Sequence, residues 1–276
     1  MERKKSTISA DPTLEIHNPI SDPSARFDRW WILVFLVVGT IAFLSFTRPD
    51  PFGRVVSFVK DGVGITLATT VISFLLVLVV GLIGGLGRIS RNWLISGIAT
   101  IYVEMVRGVP LLVQLLFWYF AFPSVIQGIG KALHYAPFEK YLANPLGMAI
   151  LGLTVCYGAY MSEVYRAGIQ SIPKGQMEAA RSLGMNYVQA MRYVVLPQAV
   201  RVILPPVGNE FISLLKDSSL VSVVAVGDIT LRGRQFMATS FLPIETWVMV
   251  GLMYLTLTLF SARIVTWIEK KTQLER

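Results

Sequence analysis

Charged side chains are scarce in this sequence. Only 15% of its 276 residues are Asp, Glu, Lys or Arg, whereas 54% are hydrophobic, and the mean hydropathy is +0.59. Soluble globular domains contain about a quarter charged residues. Here the apolar residues form long uninterrupted runs, which are typical of membrane-spanning helices. The sequence therefore excludes an ordinary soluble domain and predicts an all-α integral membrane protein.

Residues that carry catalytic and metal chemistry are also nearly absent. Cys156 is the single cysteine and lies in an apolar run, so no disulfide can form within the chain. The two histidines, His17 and His134, are far apart and show no metal-ligand spacing. No GxxxxGK[ST], GxSxG or HExxH pattern occurs. We expect neither a catalytic centre nor a metal or other cofactor in this chain, which cannot cradle ATP by itself.

The net charge of +8 at neutral pH is by itself compatible with nucleic-acid binding. The charges stand at the ends of apolar runs, however, where lysine and arginine contact lipid headgroups. We therefore expect membrane lipid as a partner and no nucleic acid.

Six apolar segments are predicted to span the membrane. The third is interrupted by Arg107-Gly108-Val109-Pro110, where the proline removes a backbone hydrogen bond. A broken helix at membrane depth is tolerated where it is buried in protein or lines a cavity. Residues 123–146, with three prolines, are predicted to form an irregular connector. The predicted spans are 30–46, 62–86, 93–122, 147–168, 207–229 and 244–264.

Lysine and arginine distribute unevenly between the two sides that six spans define. One side contains 16 of them (1–29, 87–92, 165–206 and 263–276) and the other contains 7 (48–61, 123–146 and 231–243). Positive charge favours the cytoplasmic side. The sequence thus predicts a multi-pass protein of the bacterial cytoplasmic membrane with cytoplasmic tails at 1–29 and 269–276.

A polar, basic segment at 173–197 lies on that cytoplasmic side. Pro173 and Gly175 precede a predicted short helix over 176–183, with Glu178 in its first turn, where the helix dipole favours an anion. Gly184 follows, and glycine accepts the left-handed conformation that ends many helices.

A second short helix is predicted to follow this turn. Asn186 is its expected cap, Val188, Met191 and Val195 share one face, and Pro197 is expected to stop it. Each helix has about two turns, far short of the roughly 20 residues that cross a bilayer. The pair therefore forms a two-helix loop at the membrane surface.

The loop resembles the signature loop of ABC importer permeases. The sequence reads E-A-A-x3-G from Glu178 to Gly184, and nine residues then precede V-x-L-P, in which Val194 replaces the isoleucine of the family pattern. A merely amphipathic interfacial helix is the alternative interpretation. The resemblance implies that the small Ala179 and Ala180 settle in a groove of a partner ATPase. It assigns ATPase coupling to Gly175, Glu178, Ala179, Ala180, Gly184, Leu196 and Pro197.

Further stretches are similar to the polar amino acid subfamily of these permeases: 62–90, 106–114, 160–175 and 204–226. The likeness covers roughly 60–268, which it assigns to the permease transmembrane domain. It implies a five-helix core of the type I importer fold, to which residues 30–47 add one extra N-terminal helix.

The resemblance also implies a division of labour among subunits. Two permease subunits, as a homodimer or a heterodimer, form the pathway, and two ATPase subunits bind ATP and Mg²⁺ and dock at the cytoplasmic loops. An extracytoplasmic binding protein delivers the amino acid substrate. The spans then alternate between inward-open and outward-open states around a site near mid-membrane.

Ionisable residues within the spans are the candidates for the substrate pathway, because such residues are expensive in a membrane. Arg107 is the best candidate for the substrate carboxylate, although it can instead hold the helix break by pairing with Glu104 or with carbonyl groups. Glu163 can form an i,i+3 pair with Arg166. Lys216 and Asp217 line the pathway or pair with another subunit. Asn209 and Glu210 complete the set, which is Arg107, Glu104, Glu163, Asn209, Glu210, Lys216 and Asp217.

The sequence raises two alternative functions. A permease for an opine or a compatible solute remains open, because the loop signature does not encode the substrate. An intramembrane aspartyl hydrolase using Asp217 and Asp228 is disfavoured, because both residues lie on one predicted segment rather than on two facing helices.

Overall fold

The computed structural model describes residues 29–273, so the predicted tails at 1–29 and 269–276 fall largely or partly outside the described residues. All regular elements within this range are helical. They are α1 (Arg29–Thr47), α2 (Arg54–Arg88), α3 (Trp93–Gly108), α4 (Leu111–Leu116), α5 (Phe122–Leu133), α6 (Ala136–Glu139), α7 (Pro145–Gln170), α8 (Lys174–Ser182), α9 (Tyr187–Ala190), α10 (Leu196–Asp217), α11 (Ile229–Ser240) and α12 (Pro243–Gln273). Short π-helical turns at Pro49–Gly53, Phe117–Ala121 and Met191–Val195 and a 3₁₀ segment at Ser218–Val224 join some of them.

Within residues 29–273, five helical segments are long and apolar enough to cross a membrane: Trp30–Thr47, Pro49–Arg88, Leu111–Leu133, Pro145–Gln170 and Pro243–Thr272. The prediction of an all-α membrane protein is confirmed. The third predicted span is divided at the expected break, where α3 ends at Gly108 and a separate helical run begins at Leu111.

Two of the predicted segment boundaries are wrong. The connector 123–146, expected to be irregular, is largely helical and contains most of α5 and all of α6. Helix α5 forms because Pro123 stands in its first turn, where the missing N–H is not needed. The predicted span 207–229 is not one helix: α10 ends at Asp217, and Ala225 has a left-handed backbone with φ of 62°. Asp228 then starts α11 by accepting hydrogen bonds from the N–H groups of Thr230 and Leu231.

The centre of the molecule is the packing of α2 against α7. Small residues allow this close approach, as is common between helices in lipid. A Cβ on Gly84 would lie 2.1 Å from the Ser162 hydroxyl, and one on Gly81 would lie 2.5 Å from the Met161 side chain. Val77, Leu153, Met161 and Leu214 form part of the buried cluster around this contact.

A second buried cluster joins the beginning of α2 to α11 and α12. Val59, Ile229 and Met249 are fully buried in it. Ile41 and Leu44 of α1 pack against this cluster, and the Arg263 guanidinium of α12 lies 5.2 Å from the centre of the Trp30 ring. The N-terminal helix is therefore attached to the rest of the protein through this cluster and α12.

Candidate functional site

The first part of the site is the loop between α7 and α10. Helix α8 begins at Lys174 rather than 176, so the prediction that Glu178 lies in its first turn is wrong: this residue is in the second turn. Pro173, whose backbone is not helical, is the N-cap of this helix. Glu178 is exposed, and the structure gives its carboxylate no hydrogen bond or ion pair with another described residue.

The turn between α8 and α9 has the predicted geometry. Gly184 has φ of +85°, and its N–H donates to the Arg181 carbonyl at 3.0 Å. The Met185 N–H donates to the Ala180 carbonyl at 3.2 Å, which completes a Schellman motif. Glycine is needed at position 184 because a side chain disfavours this backbone conformation.

Asn186 caps α9 as predicted. Its Oδ1 accepts from the Gln189 N–H at 2.9 Å, and Gln189 Oε1 accepts from the Asn186 N–H at 2.9 Å, so the two residues form a capping box. The prediction that Pro197 stops this helix is wrong. A π-helical turn at Met191–Val195 leads directly into α10, which has Pro197 in its first turn. The wider turn accommodates the proline, which has no N–H to donate.

The loop presents an apolar surface and conceals one predicted contact residue. Ala180 is only 3% exposed and packs inside the protein, whereas Ala179 lies on the surface. Large apolar side chains are exposed instead, with Leu183 at 81%. The exposed apolar residues of the loop are Leu183, Tyr187, Val188, Tyr193 and Leu196.

Gln198 connects the two ends of the loop. Its Nε2 donates to the Val194 carbonyl at 2.8 Å and to Gln176 Oε1 at 3.3 Å. Because Gln176 belongs to α8 and Gln198 to α10, this hydrogen bond joins α8 to the base of α10.

A charged cluster lies near the ends of α2 and α7. Arg88, whose side chain is 13% exposed, binds Glu163 at 2.7 Å and Glu104 at 3.2 Å. Arg166 pairs with Glu163 and also donates to Gln170 Oε1 at 2.6 Å. Glu104 and Glu163, considered for the substrate pathway, therefore join α2, α3 and α7 in an ion-pair cluster.

The second part of the site is a cavity of about 470 Å³ at the break between α3 and α4. The break contributes one wall, α7 a second and α10 a third. The lining residues are Arg107, Gly108, Val109, Pro110, Leu111, Cys156, Tyr157, Tyr160, Glu210, Ser213 and Asp217.

Two contacts organise the charged groups of this cavity. The Arg107 guanidinium lies 5.1 Å from the centre of the Tyr160 ring, within the range of a cation–π interaction. The Tyr157 hydroxyl donates to Asp217 Oδ2 at 2.7 Å. The cavity thus contains Arg107, Glu210 and Asp217 of the predicted set, whereas Asn209 and Lys216 are exposed residues outside its lining.

Gln114 holds the helix break and is not among the site residues that the sequence predicts. Its Nε2 donates to the carbonyls of Val106 and Val109 at 2.8 Å each, and the residue is 8% exposed. These carbonyls flank the break and lack regular helical partners. The sequence feature that points to this role is a single glutamine within an apolar run, four residues after Pro110.

The described part of the chain contains no group of three or more His, Cys, Asp or Glu residues that could hold a metal ion. The chain thus combines apolar helices that can cross a membrane, a charged cavity lined by α7, α10 and the break between α3 and α4, and an exposed two-helix loop. Residues 77–274 match the family model of the binding-protein-dependent transport system inner membrane component. The chain belongs to this family.

Curated relatives agree with this assignment. The chain is 33% identical over 214 residues to the glutamine transport system permease protein GlnP of Escherichia coli, a match covering 78% of this chain and 92% of the relative. It is 38% identical over 194 residues to the arginine permease ArgU of Corynebacterium glutamicum, covering 70% and 61%. It is 31% identical over 236 residues to the glutamate/aspartate import permease GltJ of Escherichia coli, covering 83% and 94%.

Solved structures show the same fold. A crystal structure of an amino acid ABC transporter with histidines superimposes with a TM-score of 0.69 at 32% identity, covering 83% of this chain and 98% of that chain. An inward-facing structure of the MetNI methionine ABC transporter gives a TM-score of 0.62 at 23% identity, covering 78% and 96%. The predicted fold of an ABC importer permease is confirmed.

Proposed function

We propose that this chain is the permease subunit of an ATP-driven ABC importer and carries amino acids across the cytoplasmic membrane. One observation carries the proposal. The helices that flank the cytoplasmic loop, α7 and α10, are the same helices that supply two walls of the charged cavity. A force applied to the loop therefore reaches the cavity through two continuous helices.

The substrate class is supported by both the relatives and the cavity. The relatives are named as permeases for glutamine, arginine, and glutamate or aspartate. An amino acid needs a cation for its carboxylate and an acceptor for its ammonium group. In the cavity Arg107 supplies the first and the carboxylates of Glu210 and Asp217 supply the second.

The energy source belongs to other subunits. The sequence has no P-loop with which to bind ATP, so ATP and Mg²⁺ are assigned to a partner ATPase that docks on α8 and α9. The exposed Glu178, Ala179 and Leu183 are available for that contact. A second permease subunit and an extracytoplasmic binding protein complete the proposed transporter.

The loop and both chain termini are assigned to the cytoplasm. The excess of lysine and arginine on the corresponding side of the sequence supports this orientation. The Arg88–Glu163–Arg166 cluster belongs to the same side, because Arg166 lies in the last turns of α7, directly before the loop.

Transport follows as alternating access. When two ATPase subunits close, the docked loops of two permease subunits move together, and Gln198 couples α8 to the base of α10. The walls formed by α7 and α10 then shift relative to the break at Arg107–Pro110. The cavity thereby opens to the opposite side, and separation of the loops resets it.

The test uses the chain purified alone, with its ATPase subunit, and as the complete transporter in proteoliposomes. We expect no ATP turnover by the lone chain, turnover by the complex, and uptake of labelled amino acids only when the ATPase and binding protein are present. An uptake panel with opines and compatible solutes checks the substrate class. ATP hydrolysis by the lone chain, or uptake of only non-amino-acid solutes, would contradict the proposal.

A further inference from the structure

An apolar groove of about 470 Å³ lies between α2 and α3. It shares no lining residue with the charged cavity. Isoleucine side chains stand on both of its rims, and those of Ile83 and Ile98 are more than half exposed, so the groove opens on the outside of the protein. The lining residues are Val80, Ile83, Gly84, Gly87, Ile95, Ile98, Ala99 and Tyr102.

Small residues on both helices create this groove. A Cβ on Gly87 would lie 3.0 Å from the Ala99 Cβ, so the two helices approach closely where neither has a long side chain. The lining extends over 80–87 on α2 and 95–102 on α3, which is about 10 Å along each helix axis. A volume of 470 Å³ lies within the range of about 300–1,000 Å³ that is usual for ligand pockets. The groove is thus long, apolar and wide enough for part of an acyl chain.

A basic and aromatic segment lies at one end of the groove. Residues 89–92 connect the two helices close to the groove residues Gly87 and Ile95. Arg91 in this connection is exposed, and the structure gives its guanidinium no hydrogen bond or ion pair with another described residue. Trp93, the first residue of α3, is 83% exposed. Tryptophan is enriched where a membrane meets water, so this end of the groove fits the level of the lipid headgroups.

The charges nearest to this segment do not neutralise Arg91. In the adjacent cluster Arg88 pairs with Glu104 and Glu163, and Arg166 pairs with Glu163 as well. This cluster contains two cations and two carboxylates, so its charge is balanced. The positive charge of Arg91 is therefore available to an anion from outside the described chain.

We propose that the groove between α2 and α3 binds an anionic phospholipid, with one acyl chain along the groove and the phosphate on Arg91. The apolar lining matches the chain, and the guanidinium at its end matches the headgroup. Assignment to the cytoplasmic leaflet rests on the proposed orientation, which places residues 87–92 on that side. Anionic lipids of this leaflet attract basic residues next to membrane helices. The lipid site does not depend on which substrate is transported.

Tyr102 links the groove to the rest of the protein. Its ring lines the groove, and its hydroxyl donates to the Val155 carbonyl of α7 at 2.8 Å. Helix α7 also forms a wall of the charged cavity. A chain in the groove therefore packs beside the residue that joins α3 to α7, and we expect the bound lipid to raise the unfolding temperature of the protein.

Binding is measured on the complete transporter, purified in detergent and studied by native mass spectrometry. It is titrated with phosphatidylglycerol or with phosphatidylcholine that has the same acyl chains. We expect phosphatidylglycerol to bind about fivefold more tightly, as one basic residue at an anionic membrane surface predicts. Glycerol 3-phosphate has the charged group without the chains, and it should not displace the lipid.

One substitution tests the headgroup contact. Arg91→Gln lies in an exposed connection and should bring the two lipids to similar affinities while leaving phosphatidylcholine binding intact. Lys270→Gln is the matched control, because it removes one exposed positive charge near the end of α12, outside the groove. This control should keep the fivefold preference, which separates a local contact from an effect of net charge.

A second substitution tests the groove itself. Ala99→Leu places a larger side chain between the rims and should reduce the binding of both lipids. Gly97→Leu is the control, since position 97 does not line the groove and a Cβ there meets no atom within 4 Å. Thermal unfolding without added lipid verifies that each variant is folded.

Photolabelling locates the lipid in the assembled protein. Phosphatidylglycerol with a diazirine in one acyl chain is incorporated into vesicles with the complete transporter, and labelled peptides are identified after irradiation. We expect the label to concentrate in peptides that contain residues 80–102. Equal affinity for the two lipids, a full preference retained in Arg91→Gln, or label spread evenly over the helices overturns the proposal. An unlabelled groove also overturns it, because another protein surface then covers α2 and α3.

Discussion

The loop between α7 and α10 and the charged cavity are built in opposite ways. The loop is formed by contacts between residues close in sequence, such as Asn186 with Gln189 and Gly184 with Arg181. The cavity requires three elements that are far apart in sequence: the break at Arg107, α7 at Tyr157 and α10 at Asp217.

Because of this difference, substitutions in the two regions should have different consequences. A change in the loop acts on a short segment that is exposed and makes few contacts with the rest of the protein, so it should alter coupling more than stability. A change around the cavity acts on buried hydrogen bonds between or beside helices, so it should alter both.

The largest effect is expected at Gly184. A valine at φ of +85° is strongly disfavoured, because a left-handed backbone costs an ordinary residue about 1–2 kcal/mol and a β-branched residue more. Gly184→Val should abolish uptake and leave membrane insertion intact, as measured by transport assays and by membrane fractionation. Gly97→Val in α3 is the matched control, because a Cβ there also meets open space but φ is not positive. Normal uptake by Gly184→Val would remove the turn from the coupling mechanism.

Glu178 tests whether the exposed face of α8 acts through a partner. Glu178→Lys reverses an exposed charge that has no ion pair within residues 29–273, so the folded permease should retain its thermal stability. We expect uptake to fall by at least about tenfold through lost contact with the ATPase, since close charge pairs across interfaces contribute about 1.5–7 kcal/mol. Co-purification of the ATPase measures the contact directly, and Glu178→Gln should give an intermediate loss. Unchanged uptake in Glu178→Lys would discard the coupling role.

The same division explains what the sequence predicts well. The turn at Gly184 and the cap at Asn186 follow from local backbone chemistry, and both were predicted correctly. The prediction for Pro197 is wrong because a proline is tolerated in the first turn of a helix as well as after its end. The π-helical turn at Met191–Val195 leads into α10 and places Pro197 in the first turn of that helix. The burial of Ala180 depends on how α8 packs against the rest of the chain, which no local pattern encodes.

The cavity was predicted only in part for the same reason. Arg107 and Asp217 stood out because ionisable residues are rare in membrane spans. Tyr157 and Tyr160 gave no such signal, because an aromatic residue in an apolar helix usually packs in a core or faces lipid. Glu163 is ionisable as well, but its ion-pair partners are Arg88 and Arg166, and it does not line the cavity.

Gln114 tests the predicted dependence of the cavity on buried hydrogen bonds. Gln114→Leu leaves the Val106 and Val109 carbonyls without this donor and should destabilise the protein by about 1–3 kcal/mol. Amino acid binding should weaken as well, because the break moves. Gln127→Leu is the control, since Gln127 donates to one carbonyl, that of Tyr141, away from the cavity. Thermal unfolding and ligand binding are the measurements. A stable Gln114→Leu variant with full binding would show that the break keeps its geometry without the hydrogen bonds from Gln114.

A substitution of Arg88 tests the ion-pair cluster that this residue forms with Glu104, Glu163 and Arg166. Arg88→Met removes the bonds to Glu104 and Glu163, but Glu163 retains Arg166 as a partner. We expect a loss of about 1 kcal/mol, between the values for exposed and buried ion pairs. The unfolding temperature should fall and should depend less on salt than that of the wild type. A loss as large as that of Gln114→Leu would place the cluster among the buried contacts on which the cavity depends.

The smallest effect is expected at the exposed pair between Asp50 and Arg54, which lies outside both regions. The two side chains are 3.2 Å apart, but 70% and 60% exposed, so water screens their attraction. Asp50→Asn should change the free energy of unfolding by no more than about 0.5 kcal/mol, as is typical of i,i+4 pairs, and should leave uptake unchanged. Thermal unfolding at low and high salt measures the effect, and high salt should abolish it. A loss comparable with that of Arg88→Met would mean that exposure is a poor guide to the contribution of ion pairs in this protein, and the division between local and long-range sites would lose its energetic basis.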